Sequence, residues 1–158
     1  MASWTAPAFL DALKSKLDAS ADLSALTSPT VDVLTHWPGI DLSATDQLIL
    51  GATVDDEQVP AAVGRNRHDQ QVDVSCEVRV MRPGGGETVS KAARDRAAAI
   101  VGIVDAQLRT DPPDVADQTI EARITSRRMS QFPTTVGTVQ ARACVIEFTI
   151  GYTARTSP

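Results

Sequence analysis

Aromatic side chains are scarce in this chain, at 4% of its 158 residues. That argues against a stacking platform for single-stranded nucleic acid, which relies on aromatic faces. Basic residues are not in excess either, because 20 Asp and Glu against 15 Lys and Arg leave a net charge of -5. No positive field therefore exists to draw phosphate backbones or anionic lipid, and neither a membrane nor a specific nucleic-acid sequence is expected as a partner. Long apolar runs are missing too. Nothing approaches the roughly 20 apolar residues of a spanning helix, and MASWTAPAFLDALKSKLDAS has no basic leader followed by an apolar stretch. The chain is expected to stay in the cytoplasm where it is made. Cysteine is limited to Cys76 and Cys144. Each shares the phase of neighbouring valines and isoleucines in a predicted strand, so both read as buried free thiols rather than a disulfide.

Sites of chemistry are equally hard to find. His36 and His68 stand far apart, and neither has a second ligand at metal spacing. Asp55-Asp56-Glu57 lacks the alternating oxygens and glycine of a calcium loop and reads as a solvated acidic turn. Gly84-Gly85-Gly86 sits between a strand and a helix, where a phosphate loop would lie, but no Gly-Lys-Ser/Thr follows and Glu87 already takes the anion position. There is no G-x-S-x-G, and neither cysteine sits in an electropositive, exposed setting. Paired carboxylates need only meet in space, so sequence leaves them open. No catalytic residue, cofactor or metal is expected.

What is present is a regular alternation of elements. Hydrophobic content of 42% and charged content of 22% belong to a globular chain, and the length suits a single domain over residues 1–158 with a real core. The centre is a helix over Val89–Arg109. Ala93, Ala97, Ile100, Val101, Val104 and Leu108 recur at steps of three, four and seven, so they share one face. Thr88 or Ser90 is available as its N-cap, and Asp111-Pro112-Pro113 stops it. A shorter amphipathic helix over Thr5–Ala19, with Thr5 as cap, carries Phe9, Leu10, Leu13 and Leu17. Strands are predicted at Val31–Thr35, Asp46–Thr53, Val72–Met81, Gln118–Thr125 and Val139–Tyr152. The third alternates most cleanly, with Val72, Val74, Cys76, Val78 and Val80 on one side. The last is apolar in both phases and is expected in the sheet interior. These elements make an α+β domain, a mainly antiparallel sheet with the long central helix and the short N-terminal helix on one face.

Three irregular stretches remain. Val54–Gln71, with Asp55, Asp56 and Glu57 near one end and Arg65, Arg67 and His68 near the other, reads as a projecting loop or hairpin arm. Ser126–Gly137 reads as a turn region, and Arg127, Arg128 and Phe132 make it either a contact loop or a solvated basic turn. Residues 153–158 read as a short polar tail. On the central helix, Ala98, Gly102 and Ala106 form a stripe of small residues off the apolar face. Either a close-packed neighbour meets it, or it is incidental.

Taken together, the helix PAFLDALKSKL, the course from VDVSCEVRVMRPGG into SKAARDRAAAIVGIVDAQLRTDP, and the closing pair IEARITSRRMSQFPTTVGTVQARACVIEFTIGYTART resemble the tail terminator or tail-completion proteins of long-tailed bacteriophages. The resemblance covers most of the chain and is one of layout rather than of an invariant motif. It implies a structural virion protein forming a ring, usually a hexamer, that caps the tail tube and stops its polymerisation at the head-proximal neck. Its partners would be other copies of itself, the tail tube protein and the head-closure or stopper protein, with the tape-measure protein as a further contact. Asp55, Asp56, Glu57, Arg65, Arg67, His68, Arg127, Arg128, Phe132 and Gly102 are then the candidate interface residues. A stopper or connector subunit of the neck is the near alternative. A small α+β enzyme or ligand-binding domain is the alternative of another class, and a deep apolar pocket with convergent polar groups would mark it.

Overall fold

Along the chain run α1 (Ala6–Asp18), α2 (Ala21–Ser24), β1 (Val31–Leu34), β2 (Asp46–Pro60), β3 (His68–Pro83), α3 (Glu87–Thr110), β4 (Thr119–Val136) and β5 (Val139–Thr156). They are seen in a computed structural model that describes residues 4–38, 46–60, 68–115 and 119–156. The fold is α+β. Five strands form one mixed sheet in the order β1-β2-β3-β5-β4. The pairings β2–β3, β3–β5 and β4–β5 are antiparallel, whereas β1 runs parallel to β2. A parallel pair needs a connection that returns the chain to the same end, and residues 35–45 supply that length.

The helix patterns translate directly into packing. Ala93, Ala97, Ile100, Val101, Val104 and Leu108 are the buried residues of α3, and Phe9, Leu13 and Leu17 are buried in α1. They join Val72, Val74, Cys76, Val78 and Val80 of β3 and Cys144, Ile146, Phe148, Ile150 and Tyr152 of β5 in one cluster. β5 lies between β3 and β4, the interior place that its two apolar phases require. Where β2 passes under α1, the register with β3 shifts between Ile49 and Thr53. Gly51 takes φ +73 there, and a Cβ on it would come within 2.7 Å of Leu10 Cδ1, so glycine meets both the backbone and the space requirement.

Several expectations are corrected. Of the two readings of Val54–Gln71, the described part is the hairpin arm and not a projecting loop. β2 continues to Pro60, β3 begins at His68, and residues 54–60 pair with 68–74, while β3 pairs with β5 on its other side as far as His68. Residues 61–67 lie outside the described residues. Ser126–Gly137 is not a turn region, because β4 continues to Val136 and turns back only through Gly137 and Thr138. The polar tail is strand to Thr156. None of the three segments shows the regular apolar alternation of a half-buried strand, and backbone pairing with an established neighbour makes them strands all the same. The helix caps differ as well. Gly86 stands at the N-cap of α3, and neither helix has a side-chain cap bond. The Ser90 hydroxyl instead donates to the Gly86 carbonyl at 3.1 Å.

Thr5 is used elsewhere. Its hydroxyl donates to Gln70 Oε1 at 2.5 Å and lies 2.9 Å from the Tyr152 hydroxyl. Gln70 Nε2 in turn donates to Asp56 Oδ2 at 3.0 Å, and Tyr152 stacks on Phe9 with ring centroids 4.0 Å apart. This network ties the start of α1 to the β2–β3 arm and satisfies polar groups that burial would otherwise penalise. A second buried node sits at Asp46, which is 1% exposed. Arg82 reaches its two carboxylate oxygens at 2.8 and 3.0 Å, and Arg96 of α3 reaches it at 2.7 Å. Arg96 also donates to the Pro29 carbonyl at 2.5 Å, so one carboxylate joins β2, β3, α3 and the chain before β1.

Candidate functional site

The two outer borders of the sheet are unlike each other. Among the described residues β4 pairs only with β5, so one whole side of an 18-residue strand presents unpaired backbone groups. At the other border β1 covers β2 only from Asp46 to Ile49, and the remainder of β2 has β3 as its one ladder partner among the described residues. Open edges of this kind are templates for another strand unless something blunts them.

The sequence-expected interface residues fall largely on these borders. Asp55, Asp56 and Glu57 are exposed on the uncovered half of β2, with Asp56 also accepting the bond from Gln70. Arg127, Arg128 and Phe132 are exposed on β4. Arg127 lies 3.4 Å from Asp105 of α3. His68 opens β3 opposite Pro60, while Arg65 and Arg67 lie outside the described residues. The two groups are thus not brought together within one chain, because β3 and β5 stand between β2 and β4.

Sequence reasoning missed how apolar the β4–β5 hairpin is. Met129, Phe132, Val136 and Val139 are 40–54% exposed, and with Trp4 and Trp37 they make up the large exposed hydrophobics among the described residues. Their concentration on one hairpin was hidden because Val136 and Val139 look like ordinary strand residues until the turn between them is placed. Clustered exposed apolar side chains mark interaction surfaces, whereas single ones do not.

On the sheet face that carries Ser75, Glu77 and Arg79, a groove of about 500 Å³ runs between Trp37, Thr53, Glu77, Arg128, Glu147 and Thr149. Arg79 is 7% exposed, places its guanidinium carbon 4.3 Å from the Trp37 ring centroid, and is ion-paired with Glu77. Glu77 and Glu147 are register partners on β3 and β5. A meeting of carboxylates in space is what the sequence left open, and here Arg79 already holds one member. Among the described residues no group of three or more His, Cys, Asp or Glu could hold a metal ion. Burial raises the pKa of the Tyr152 phenol, with the Asp56 charge adding to the rise and the Thr5 hydrogen bond opposing it. Tyr152 therefore acts as a neutral hydrogen-bonding and stacking group.

The small-residue stripe on α3 faces outward. Ala98, Gly102 and Ala106 are exposed, and a Cβ on Gly102 meets nothing within 4 Å. Among the described residues no neighbouring element packs there. Gly102→Leu is therefore expected to stabilise the isolated chain by about 0.5–1 kcal/mol through helix propensity, seen as a higher melting temperature. A lower melting temperature in the monomer would mean that α3 is packed differently. No protein-family model and no curated protein matches this chain in sequence.

Proposed function

We propose that this chain is a structural virion protein that closes into a ring at the head-proximal end of a long phage tail. As a tail terminator it would stop tube polymerisation and offer its outer surface to the head-closure or stopper protein. The tail tube protein would lie on the other side, and the tape-measure protein could reach the lumen. The observation that carries this reading is the β4–β5 hairpin, with Met129, Phe132, Val136 and Val139 held in water beside a strand edge with no ladder partner among the described residues. Such a hairpin is costly in a monomer and useful in an assembly. The layout behind it supports the same reading. With helices on one face of a mainly antiparallel sheet, the outer edge of β4 and the part of β2 beyond β1 would be open to neighbours among the described residues, and a closed ring needs two different surfaces on each subunit.

Native mass measurement of the purified protein, alone and with tail tube, tests the proposal. A single closed species is expected, with six copies as the resemblance implies. In a phage that carries the chain, its loss should give tails of uncontrolled length or heads and tails that fail to join. A protein that stays monomeric at every concentration, with or without tube, would refute the reading.

A further inference from the structure

We infer that neighbouring copies join edge to edge, the open edge of β4 in one copy adding antiparallel to the uncovered half of β2 in the next. The inference rests on the ring reading for closure, but the contact itself follows from charge, face and direction. The uncovered part of β2 carries Asp55, Asp56 and Glu57 and no basic residue. β4 carries Arg123, Arg127 and Arg128 against a single Glu121. Two β4 edges, or two β2 edges, would set like charges against each other, and like charges directly opposite are destabilising. Only the unlike pair is complementary, and that pairing is head-to-tail.

Direction agrees. β2, β3, β5 and β4 alternate in sense because each successive pairing is antiparallel. A second copy placed alongside without being turned over therefore sets its β2 antiparallel to β4, the geometry of an ordinary ladder. One register places Asp55 opposite Arg128 and Asp56 opposite Arg127. The faces match in both pairs. Asp56 and Arg127 stand in the rows of Val72 and Phe148, on the helix-covered face, and Asp55 and Arg128 stand in the rows of Asp73 and Glu147, on the other. The same register sets the exposed Met129 against Val54, an apolar cross-strand pair. It also places Pro133, which has no amide to donate, level with Leu50, next to where β1 takes over the border of β2. Within one subunit Asp55 is level instead with Arg123, through Asp73 and Gly151. The joint is therefore staggered, as tilted strands in a closed sheet must be.

Asp55 and Arg128 are the positions to test, since Asp56 holds Gln70 and Arg127 is drawn to Asp105. Asp55→Lys and Arg128→Glu are each expected to raise the concentration needed for ring formation by about tenfold or more at low salt, with melting temperature confirming that each chain folds. Mixing the two variants should restore rings, since each junction then pairs an introduced charge with one of opposite sign or a native Asp55 with a native Arg128. Combining D55K and R128E in one chain should restore them as well. Rings that form unchanged from either single variant, or no rescue on mixing, would overturn the edge contact and leave the ring reading standing. A wild-type chain that never assembles would overturn both.

Discussion

Replacing Asp46 with alanine is expected to destabilise the fold by about 3–5 kcal/mol, the usual cost of leaving buried charges without their partner. The carboxylate is 1% exposed and stands between two guanidiniums whose side chains are themselves only 19% and 15% exposed. Its removal leaves Arg82 with the Met81 carbonyl at 2.8 Å and Arg96 with the Pro29 carbonyl at 2.5 Å. Those residual bonds place the expected loss toward the lower end of the range. Asp46→Asn keeps the shape and removes the charge, so it should fall between the two. Urea unfolding provides the measurement, because a shift of the midpoint with an unchanged slope isolates stability. A loss under about 0.5 kcal/mol, the size of an ordinary surface substitution, would show that the two arginines do not depend on Asp46.

A second large effect is expected in alkali and traces to Cys76. Burial pushes this thiol from an ordinary value near 9 up to about 12, with a hydrogen bond from the Gly51 backbone opposing the rise. The unfolded chain releases the proton near pH 9, and the folded chain holds it until about pH 12. Between those values the unfolded state binds fewer protons, so stability falls as pH rises. At about 1.4 kcal/mol per pH unit the loss approaches roughly 4 kcal/mol by pH 12. Lysines and tyrosines titrate in the same window, and comparison with Cys76→Ala cancels them. The variant should lose less stability than the parent between pH 7 and pH 11, by roughly 2–3 kcal/mol. Equal losses would exclude a buried Cys76. At neutral pH both thiols, which are buried and free, should label slowly with a thiol reagent, and rapid labelling of both would count against the strand phases.

The sequence by itself determined the elements whose side chains alternate between core and water. The face of α3, the apolar stripe of α1, the Val72–Val80 phase and the interior place of β5 follow from periods of 3.6 and 2, and all of them are seen in the burial. Acidic and basic candidate residues were legible as charges but not as positions on a border. Tertiary structure alone decided the three strand extensions, 54–60 with 68–71, 126–136 and 153–156. A ladder is made by backbone groups, and a strand that meets the core at only a few positions imposes no regular side-chain pattern to read. The same reason conceals the parallel β1–β2 pair, the Asp46 node and the Thr5–Gln70–Tyr152 network, since each joins residues far apart in sequence. It also explains why Gly102 could not be assigned from the helix pattern. Spacing places it off the main apolar face, but only the packed chain reveals that none of the described elements covers it.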